Sequence, residues 1–179
     1  MREKELIKKC LEKDKAGQKA LFDLKYRLIY KIAYRYLNDH QEAEDVVLQA
    51  FNNIFLHLEK FEPKEVGSFN NWITKITINQ AYKNLRSKNL IDYVGSASDL
   101  DHVQVEDNVP FESKWTEQIN EIIKSMPVGY KTIFLMNAVE CYSHQTISEL
   151  LGISRNTSKS QMLKARKYIH ARLKVTNNG

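Results

Sequence analysis

The segment from Ser143 to Ile169 constrains the fold of this chain more than any other feature, because it predicts two helices joined at a glycine. Ser143 can cap the first helix by accepting a hydrogen bond from an otherwise unbonded backbone N–H. Gly152 suits the left-handed position after a helix end, where a Cβ is costly. Ser154 can cap the second helix. Capped helix, glycine turn and capped helix together predict a helix-turn-helix.

The second of these helices is basic. From Gly152 to Gly179 the chain contains Lys and Arg residues but no Asp or Glu. At about 100° per residue, an inner stripe forms from Ser158, Met162, Ala165 and Ile169. The hydroxyl of Ser158 then needs a polar partner. A basic amphipathic helix is often only a solvated face, but after a capped helix and a glycine turn it indicates binding in the DNA major groove.

Composition favours an all-α protein without a membrane span. The chain has 179 residues, a net charge of +5, and only six glycines and three prolines. It contains no run of about 18 apolar residues, and its charged N-terminus lacks the apolar core of a signal peptide. We therefore expect a cytoplasmic protein with no stable membrane insertion.

The chemistry-bearing residues predict neither a cofactor nor a metal site. The five histidines have no metal-ligand spacing, and Cys10 and Cys141 lie far apart without a CxxC motif, so both thiols are expected to be buried. No phosphate loop or nucleophile elbow is present. We expect no catalytic residues and a protein that is not an enzyme.

Helical periodicity divides the chain into two parts. Apolar stripes predict four helices before residue 90, with breaks at Asn38-Asp39 and at Glu62-Pro63. The stretch 91–112 is acidic, contains no Lys or Arg and is weakly periodic, which is typical of a linker. The predicted organisation is a helical domain at 1–90, an acidic flexible linker at 91–112, a second helical domain at 113–174 and a tail at 175–179.

The fourth predicted helix of the first domain has a composition suited to single-stranded nucleic acid. From Val66 to Ile91 there are no acids, and aromatic residues are interleaved with Lys, Arg and Asn. Bases can stack on an aromatic ring while cations hold the phosphates. Trp72 and Tyr82 are more simply explained as core residues. Phe69 and Asn70 stand beside a loop glycine and are the better contact candidates.

The third predicted helix carries a different signal. Acidic residues cluster at its start, where carboxylates favour the positive end of a helix. Leu48 and Gln49, with the nearby Asn52 and Asn53, form a mixed apolar and amide face. Such a face suits a protein interface better than a purely solvated helix does.

Three motifs in order give the chain a resemblance to a known family. EAEDVVLQAFNNIF (42–55), GSFNNWITKITINQA (67–81) and MPVGYKTIFLMNAVECYSHQTISELLGIS (126–154) flank the acidic linker. This arrangement closely resembles bacterial RNA polymerase sigma factors of the extracytoplasmic-function (ECF) group, within the sigma-70 superfamily. The resemblance implies two helical domains, sigma domain 2 and sigma domain 4, and promoter-specific transcription initiation with core RNA polymerase.

The resemblance also implies residue roles. Sigma domain 2 would dock on the clamp helices of the largest core subunit through Glu44, Asp45, Leu48, Gln49 and Asn52. It would read the −10 element through Phe69, Asn70, Trp72, Asn79, Lys83 and Arg86. Sigma domain 4 would bind the flap of the second large subunit and read the −35 element through Arg155, Asn156, Lys159, Ser160, Leu163 and Lys164. The linker would pass through the active-site and RNA-exit channel, and an anti-sigma factor is a plausible further partner.

The chain departs from the family pattern at several positions. Leu48 and Gln49 stand where the family commonly has Gln followed by Asp or Glu, and Gln161 replaces a common Arg. Two other functions stay open from the residues alone. One is a stand-alone helix-turn-helix regulator, which would dimerise on paired half-sites. The other is a nucleic-acid enzyme using carboxylates for Mg²⁺, drawn from Glu44, Asp45, Asp99 and Asp101.

Overall fold

The computed structural model describes residues 3–63, 65–88 and 116–176, and over these residues the fold is all-α, as the periodicity predicts. Residue contacts divide the chain into two compact units, with the division between Ser87 and Lys88. This division lies close to the predicted end of the first domain at residue 90. The acidic stretch 91–112 falls outside the described residues.

The first unit is a bundle of four helices. These are α1 (Glu3–Leu11), α2 (Lys15–Leu37), α3 (His40–His57) and α4 (Ser68–Ser87), with a short 3₁₀ turn at Leu58–Lys60. Fully buried side chains such as Leu21, Ile29, Ile54 and Ile73 fill the centre. Helix α3 ends at His57 and not at the predicted break before Pro63, because the backbone tightens into the 3₁₀ turn first.

The caps of this bundle follow local rules. The Asp39 carboxylate accepts from the Glu42 backbone N–H at 2.9 Å and begins α3, as predicted. Asn38 ends α2 in the left-handed conformation, with φ of 56°. Asp14 caps α2 by accepting from the backbone N–H groups of Ala16 and Gly17 at 3.1 and 3.2 Å.

Gly17 permits a close approach of α1 to α2. A Cβ placed at Gly17 would lie 2.5 Å from the Cβ of Lys9. Ala is favoured over Gly in a helix by about 1 kcal/mol, but overpacking costs about 1–3 kcal/mol. We therefore expect Gly17→Ala to lower the free energy of unfolding by about 1 kcal/mol, measured by urea denaturation. In a Lys9→Gly background the same change should cause no loss, and a loss of equal size there would refute the steric explanation.

Over residues 116–176, the second unit contains four helices and a π-helical turn. Helices α5 (Thr116–Lys124), α6 (Val128–Phe134), α7 (His144–Leu151) and α8 (Arg155–Thr176) surround a core that includes Ile119, Ile133, Ile147 and Met162. The π turn occupies Leu135–Val139, directly after α6. Pro127 precedes α6 and leaves Val128 as its first helical residue.

Cys10 is buried, as predicted, but Cys141 is exposed. The expectation that both thiols are buried is therefore wrong for Cys141. This residue lies in the connection between the π turn and α7, with a left-handed φ of 57°. Its side chain lies outside the core.

Candidate nucleic-acid and partner-binding surfaces

The helix-turn-helix forms as predicted from α7 and α8. The Ser143 hydroxyl accepts from the Thr146 backbone N–H at 3.1 Å, and the Ser154 hydroxyl accepts from Thr157 at 2.9 Å. Gly152 ends α7 with φ of 66°. These local bonds begin both helices and define the turn between them.

The buried polar residues of α8 explain how it packs. Ser158 is fully buried, and its hydroxyl shares a 2.8 Å hydrogen bond with Nδ1 of His144, so the polar partner that Ser158 needs comes from α7. Gln161 is also buried, and within the described structure its Oε1 has no hydrogen-bond partner. Met162 and Ala165 complete the buried stripe, while Ile169 is only half-buried.

The outer side of α8 presents the predicted −35 residues. Arg155, Asn156 and Lys159 are exposed in its first turns. Ser160, Leu163 and Lys164 are half-buried, and the Ser160 hydroxyl donates to the Thr157 carbonyl at 3.0 Å. The structure thus gathers cations and short polar groups at the start of a helix that follows a glycine turn, as major-groove recognition requires.

His144, which hydrogen-bonds to Ser158 of α8, is a titratable group in the packing of α7 on α8. Desolvation by burial lowers the pKa of His144 below 6.5, and the nearby positive charges of Lys159, Arg155 and Arg166 lower it further. The folded state therefore favours neutral imidazole. The contribution of neutral His144 to the free energy of unfolding is complete above pH 6.5, the ordinary pKa of histidine. That contribution is lost as the pH falls from 6.5 through the lower pKa of the folded state.

We expect His144→Gln to reduce the acid sensitivity of the second unit. Between about pH 7.5 and pH 5.5, thermal unfolding temperatures should fall less in the variant than in the wild type. His170→Gln, at an exposed histidine of α8, is the matched control, and the effect of His144→Gln should exceed that of the control. An unaltered pH dependence in His144→Gln would contradict this assignment.

The predicted −10 residues on α4 fall into two groups. Four of them share one side of the helix: Trp72, Asn79, Lys83 and Arg86. Their successive spacings of seven, four and three residues return to nearly the same direction around the helix axis. Lys83 and Arg86 are exposed, and Trp72 and Asn79 are half-buried. Lys75 is also exposed on this side, four residues before Asn79. Its spacing from Trp72 and Asn79 in the sequence could have identified it as a further member of this group.

Phe69 and Asn70 lie elsewhere. Phe69 is only 2% exposed, so the expectation that it is one of the better contact candidates is wrong. Its ring packs edge-on against Phe61, with centroids 5.1 Å apart. Asn70 is exposed but points away from Asn79, nine residues and half a helical rotation further on.

Asn70 instead joins a polar contact between three helices. Its Oδ1 accepts from Nζ of Lys25 at 2.7 Å. Lys25 is buried in α2 and forms an ion pair with Glu3 of α1. The Lys25 ammonium also lies 5.7 Å from the centre of the Phe69 ring. This contact places the start of α4 against α1 and α2, a structural role that no local pattern indicates.

The predicted polymerase-binding residues share the outer face of α3. Glu44, Asp45, Leu48, Gln49 and Asn52 are all exposed, and Leu48 retains 60% of its accessible surface. Gln49 accepts a short hydrogen bond from Gln80 of α4, and Gln80 accepts from Asn53 at 3.2 Å. An exposed leucine between carboxylates and amides is typical of a protein-binding face.

The described residues offer neither a metal-binding cluster nor a membrane-spanning helix. They contain no group of three or more His, Cys, Asp and Glu side chains that could hold a metal ion. Among them, no helix is long and apolar enough to cross a membrane. Asp99 and Asp101, considered above as Mg²⁺ ligands, lie outside the described ranges.

Two sequence-family models match the chain, one in each unit. Sigma-70 region 2 matches residues 21–91, and Sigma-70, region 4 matches residues 116–169. The first match contains α3 and α4 with their outer faces, and the second contains the helix-turn-helix. The order of the two matches is the order of the motifs in the chain.

Curated relatives agree with these matches. The ECF RNA polymerase sigma factor SigW of Bacillus subtilis (strain 168) is 25% identical over 185 residues, which cover 94% of this chain and 97% of SigW. The ECF RNA polymerase sigma factor SigE of Mycolicibacterium smegmatis is 24% identical over 145 residues, covering 79% of this chain but only 55% of SigE. The chain thus spans about half the length of SigE and almost all of SigW.

A solved structure shares the fold. The structure of CnrH in complex with the cytosolic domain of CnrY matches with a TM-score of 0.52 and 16% identity, covering 95% of this chain and 96% of that chain. At this identity the likeness shows the fold alone.

Proposed function

This chain belongs to the ECF group of the sigma-70 family of sigma factors, and from that premise we propose how its surfaces divide the work of promoter-specific transcription initiation. The outer face of α3 docks on core RNA polymerase, α4 reads the −10 element and α8 reads the −35 element. The observation that carries this proposal is the presence of both sigma regions in one chain, each with an exposed face suited to its partner.

The −35 role rests on the start of α8. Arg155, Lys159 and Lys164 supply positive charge for phosphates, and Asn156 and Ser160 supply short polar groups for base edges. Leu163 can meet a thymine methyl group. Positive charge alone would attract any acidic surface. A capped helix that follows a glycine turn is also the element that a helix-turn-helix places in the major groove, with its first residues against the base edges.

The −10 role rests on the side of α4 that carries Trp72, Asn79, Lys83 and Arg86, to which we add Lys75. The cations follow the helix for about three turns and can hold the phosphates of a single strand. The carboxamide of Asn79 can bond to the edge of a base displaced from the duplex. Phe69 and Asn70 have a structural role at the start of this helix. Phe69 packs into the core, and Asn70 accepts a hydrogen bond from Lys25.

The polymerase-binding role rests on α3. Leu48 supplies an apolar anchor, Gln49 and Asn52 supply amides, and Glu44 and Asp45 supply negative charge that favours a basic partner surface. We assign this face to the clamp helices of the largest subunit and the second unit to the flap of the second large subunit. The protein acts without catalysis of its own, in the compartment that holds the polymerase, the cytoplasm.

A further partner would regulate this activity. CnrH, which shares the fold, was solved with the cytosolic domain of a second protein, CnrY. We propose that an anti-sigma factor binds this chain and competes with core RNA polymerase.

The test is direct binding of the purified protein to core RNA polymerase from its own host, followed by run-off transcription on a fragmented genomic library. One-to-one binding and new start sites that share two upstream elements are the expected result. Sequence-specific DNA binding by a dimer of the protein without core polymerase would instead favour a stand-alone regulator.

A further inference from the structure

Lys25 of α2 is a buried cation whose charge serves none of the surfaces described above. The residue keeps only 7% of its accessible surface, so its ammonium is withdrawn from the faces on which DNA or a partner protein would lie. Lysines are almost never this buried unless they are paired, because removing the charge from water is costly. The partners of Lys25 therefore indicate what the charge does.

These partners belong to two other helices. The Lys25 ammonium forms an ion pair with Glu3 of α1 and donates a hydrogen bond to Oδ1 of Asn70 in α4 at 2.7 Å. It also lies 5.7 Å from the centre of the Phe69 ring, within the range of a cation–π interaction. Phe69 and Asn70 are the second and third residues of α4. Two of the three contacts therefore hold the first turn of that helix.

The first turn of α4 is a part of the helix that gains from such contacts. The first four backbone N–H groups of a helix lack partners within the helix, and helix ends fray. In the loop before α4, Val66 is fully exposed and Gly67 has a left-handed φ of 86°. These two residues contribute little packing to the turn, and the contacts from α2 constrain it instead.

The anchored turn in turn positions Trp72, the first residue on the −10 side of α4. The rings of Phe69 and Trp72 are one helical turn apart, with centroids separated by 5.8 Å. Phe61 packs against both rings, at 5.1 Å from Phe69 and 5.4 Å from Trp72. Closely packed side chains transmit displacements to one another. A shift of Phe69 would therefore displace Trp72.

We infer that Lys25 is a positioning residue for −10 recognition, which holds the first turn of α4, and through Phe69 the Trp72 ring, where single-stranded DNA binds. This inference rests on the proposed function of α4. A binding site works only when its supporting residues hold it within about 0.5 Å of the productive geometry. A cation that binds a carboxylate of α1 and an amide of α4 fixes the start of α4 relative to α1 and α2.

The alternative is that Lys25 only stabilises the bundle. Replacing a buried charge by an apolar side chain of similar volume is often neutral or stabilising when no partner is left buried and unpaired. Here the Glu3 side chain is 35% exposed and Asn70 is exposed, so water can bond to both. Lys25→Met should therefore stay folded, with an unfolding temperature close to that of the wild type. A purely stabilising role predicts unchanged DNA binding by this folded variant.

The experiment uses holoenzyme reconstituted from core RNA polymerase and full-length variants. One probe is a promoter fragment from the run-off experiment with its −10 element left single-stranded, and the other is the −35 element as duplex alone. Lys25→Met should weaken binding of the single-stranded probe about fivefold to tenfold, and should change −35 binding and core binding less than about twofold. Lys19→Met removes the same charge from an exposed position of α2 and should bind both probes within about twofold of wild type.

A double-variant cycle separates positioning from direct contact with DNA. Asn70→Leu removes the α4 side of the contact at an exposed position, and it should weaken binding of the single-stranded probe about as much as Lys25→Met does. The combined variant should bind within about twofold of the weaker single variant, because both changes break one contact. Effects that multiply would mean that Asn70 acts on DNA independently of Lys25, and they would overturn the inference.

The remaining outcomes are also decisive. Unchanged −10 binding by folded Lys25→Met overturns the inference, and so do equal losses with both probes, which indicate general damage to the protein. If Lys25→Met does not fold, Asn70→Leu decides the question in its place, by a selective loss of −10 binding or by none. Failure of the inference alone leaves wild-type binding intact. If the wild-type holoenzyme does not bind the single-stranded probe, the proposed function of α4 falls and this inference falls with it.

Discussion

Leu48→Asp is expected to weaken binding to core RNA polymerase by about thirtyfold, equivalent to ~2 kcal/mol. Leu48 is 60% exposed, so the substitution removes little from the core of the bundle. At the centre of a protein interface the same change would remove an apolar anchor and bury a carboxylate beside Glu44 and Asp45. The effect should therefore appear in binding and not in folding.

The measurement is a titration of labelled full-length protein with core polymerase. Leu24→Asp is the matched control, because Leu24 is 51% exposed and lies on α2 and not on the α3 face. Leu24→Asp should bind core polymerase within about twofold of wild type, and both variants should keep the wild-type thermal unfolding profile. Equal losses in the two variants would show that added negative charge, and not the α3 face, determines the result.

Loss of two lysines from α8 is expected to weaken promoter binding by the holoenzyme by about thirtyfold at moderate salt, because each charge-assisted phosphate bond contributes about 1 kcal/mol or more. The variant is Lys159→Ala with Lys164→Ala. Its plot of log affinity against log salt should be shallower by about two, since about one counterion is released per phosphate contact. Core binding should be unchanged, because both lysines are assigned to the DNA-facing side of α8 and the α3 face lies in the other unit.

The control removes the same charge elsewhere. Lys8 and Lys15 are exposed in the first unit, and replacing both with Ala should leave the salt dependence of promoter binding unchanged. A promoter with a scrambled −35 element should reduce the difference between wild type and the α8 variant. If the α8 variant instead loses core binding, the −35 assignment of these lysines is wrong.

Local sequence rules predicted those parts of the structure that depend on neighbouring residues. Ser143, Ser154 and Asp39 each cap the helix that they were expected to begin, and Gly152 has the left-handed backbone that ends α7. A cap is a bond over three residues, so its cause lies within the sequence window that reveals it. The need of Ser158 for a polar partner was likewise visible, although the identity of that partner, His144, was not.

Burial was harder to predict at the ends of helices. Phe69 and Asn70 look equivalent beside Gly67, yet one ring is in the core and the other side chain is exposed. Cys141 is the opposite case, because a residue type that is usually buried is exposed there. Periodicity gives the direction of a side chain around its own helix, but not what lies opposite it.

The sequence by itself determined the helices, their caps, the helix-turn-helix, the order of the family motifs and the outer face of α3. These follow from hydrogen bonds and periodicities that span only a few residues. Only the tertiary structure decided that Lys25 joins Glu3 to Asn70, across 22 and 45 positions of the chain. Contacts of that kind depend on which helices pack together, and packing is a property of the assembled core that no single segment contains.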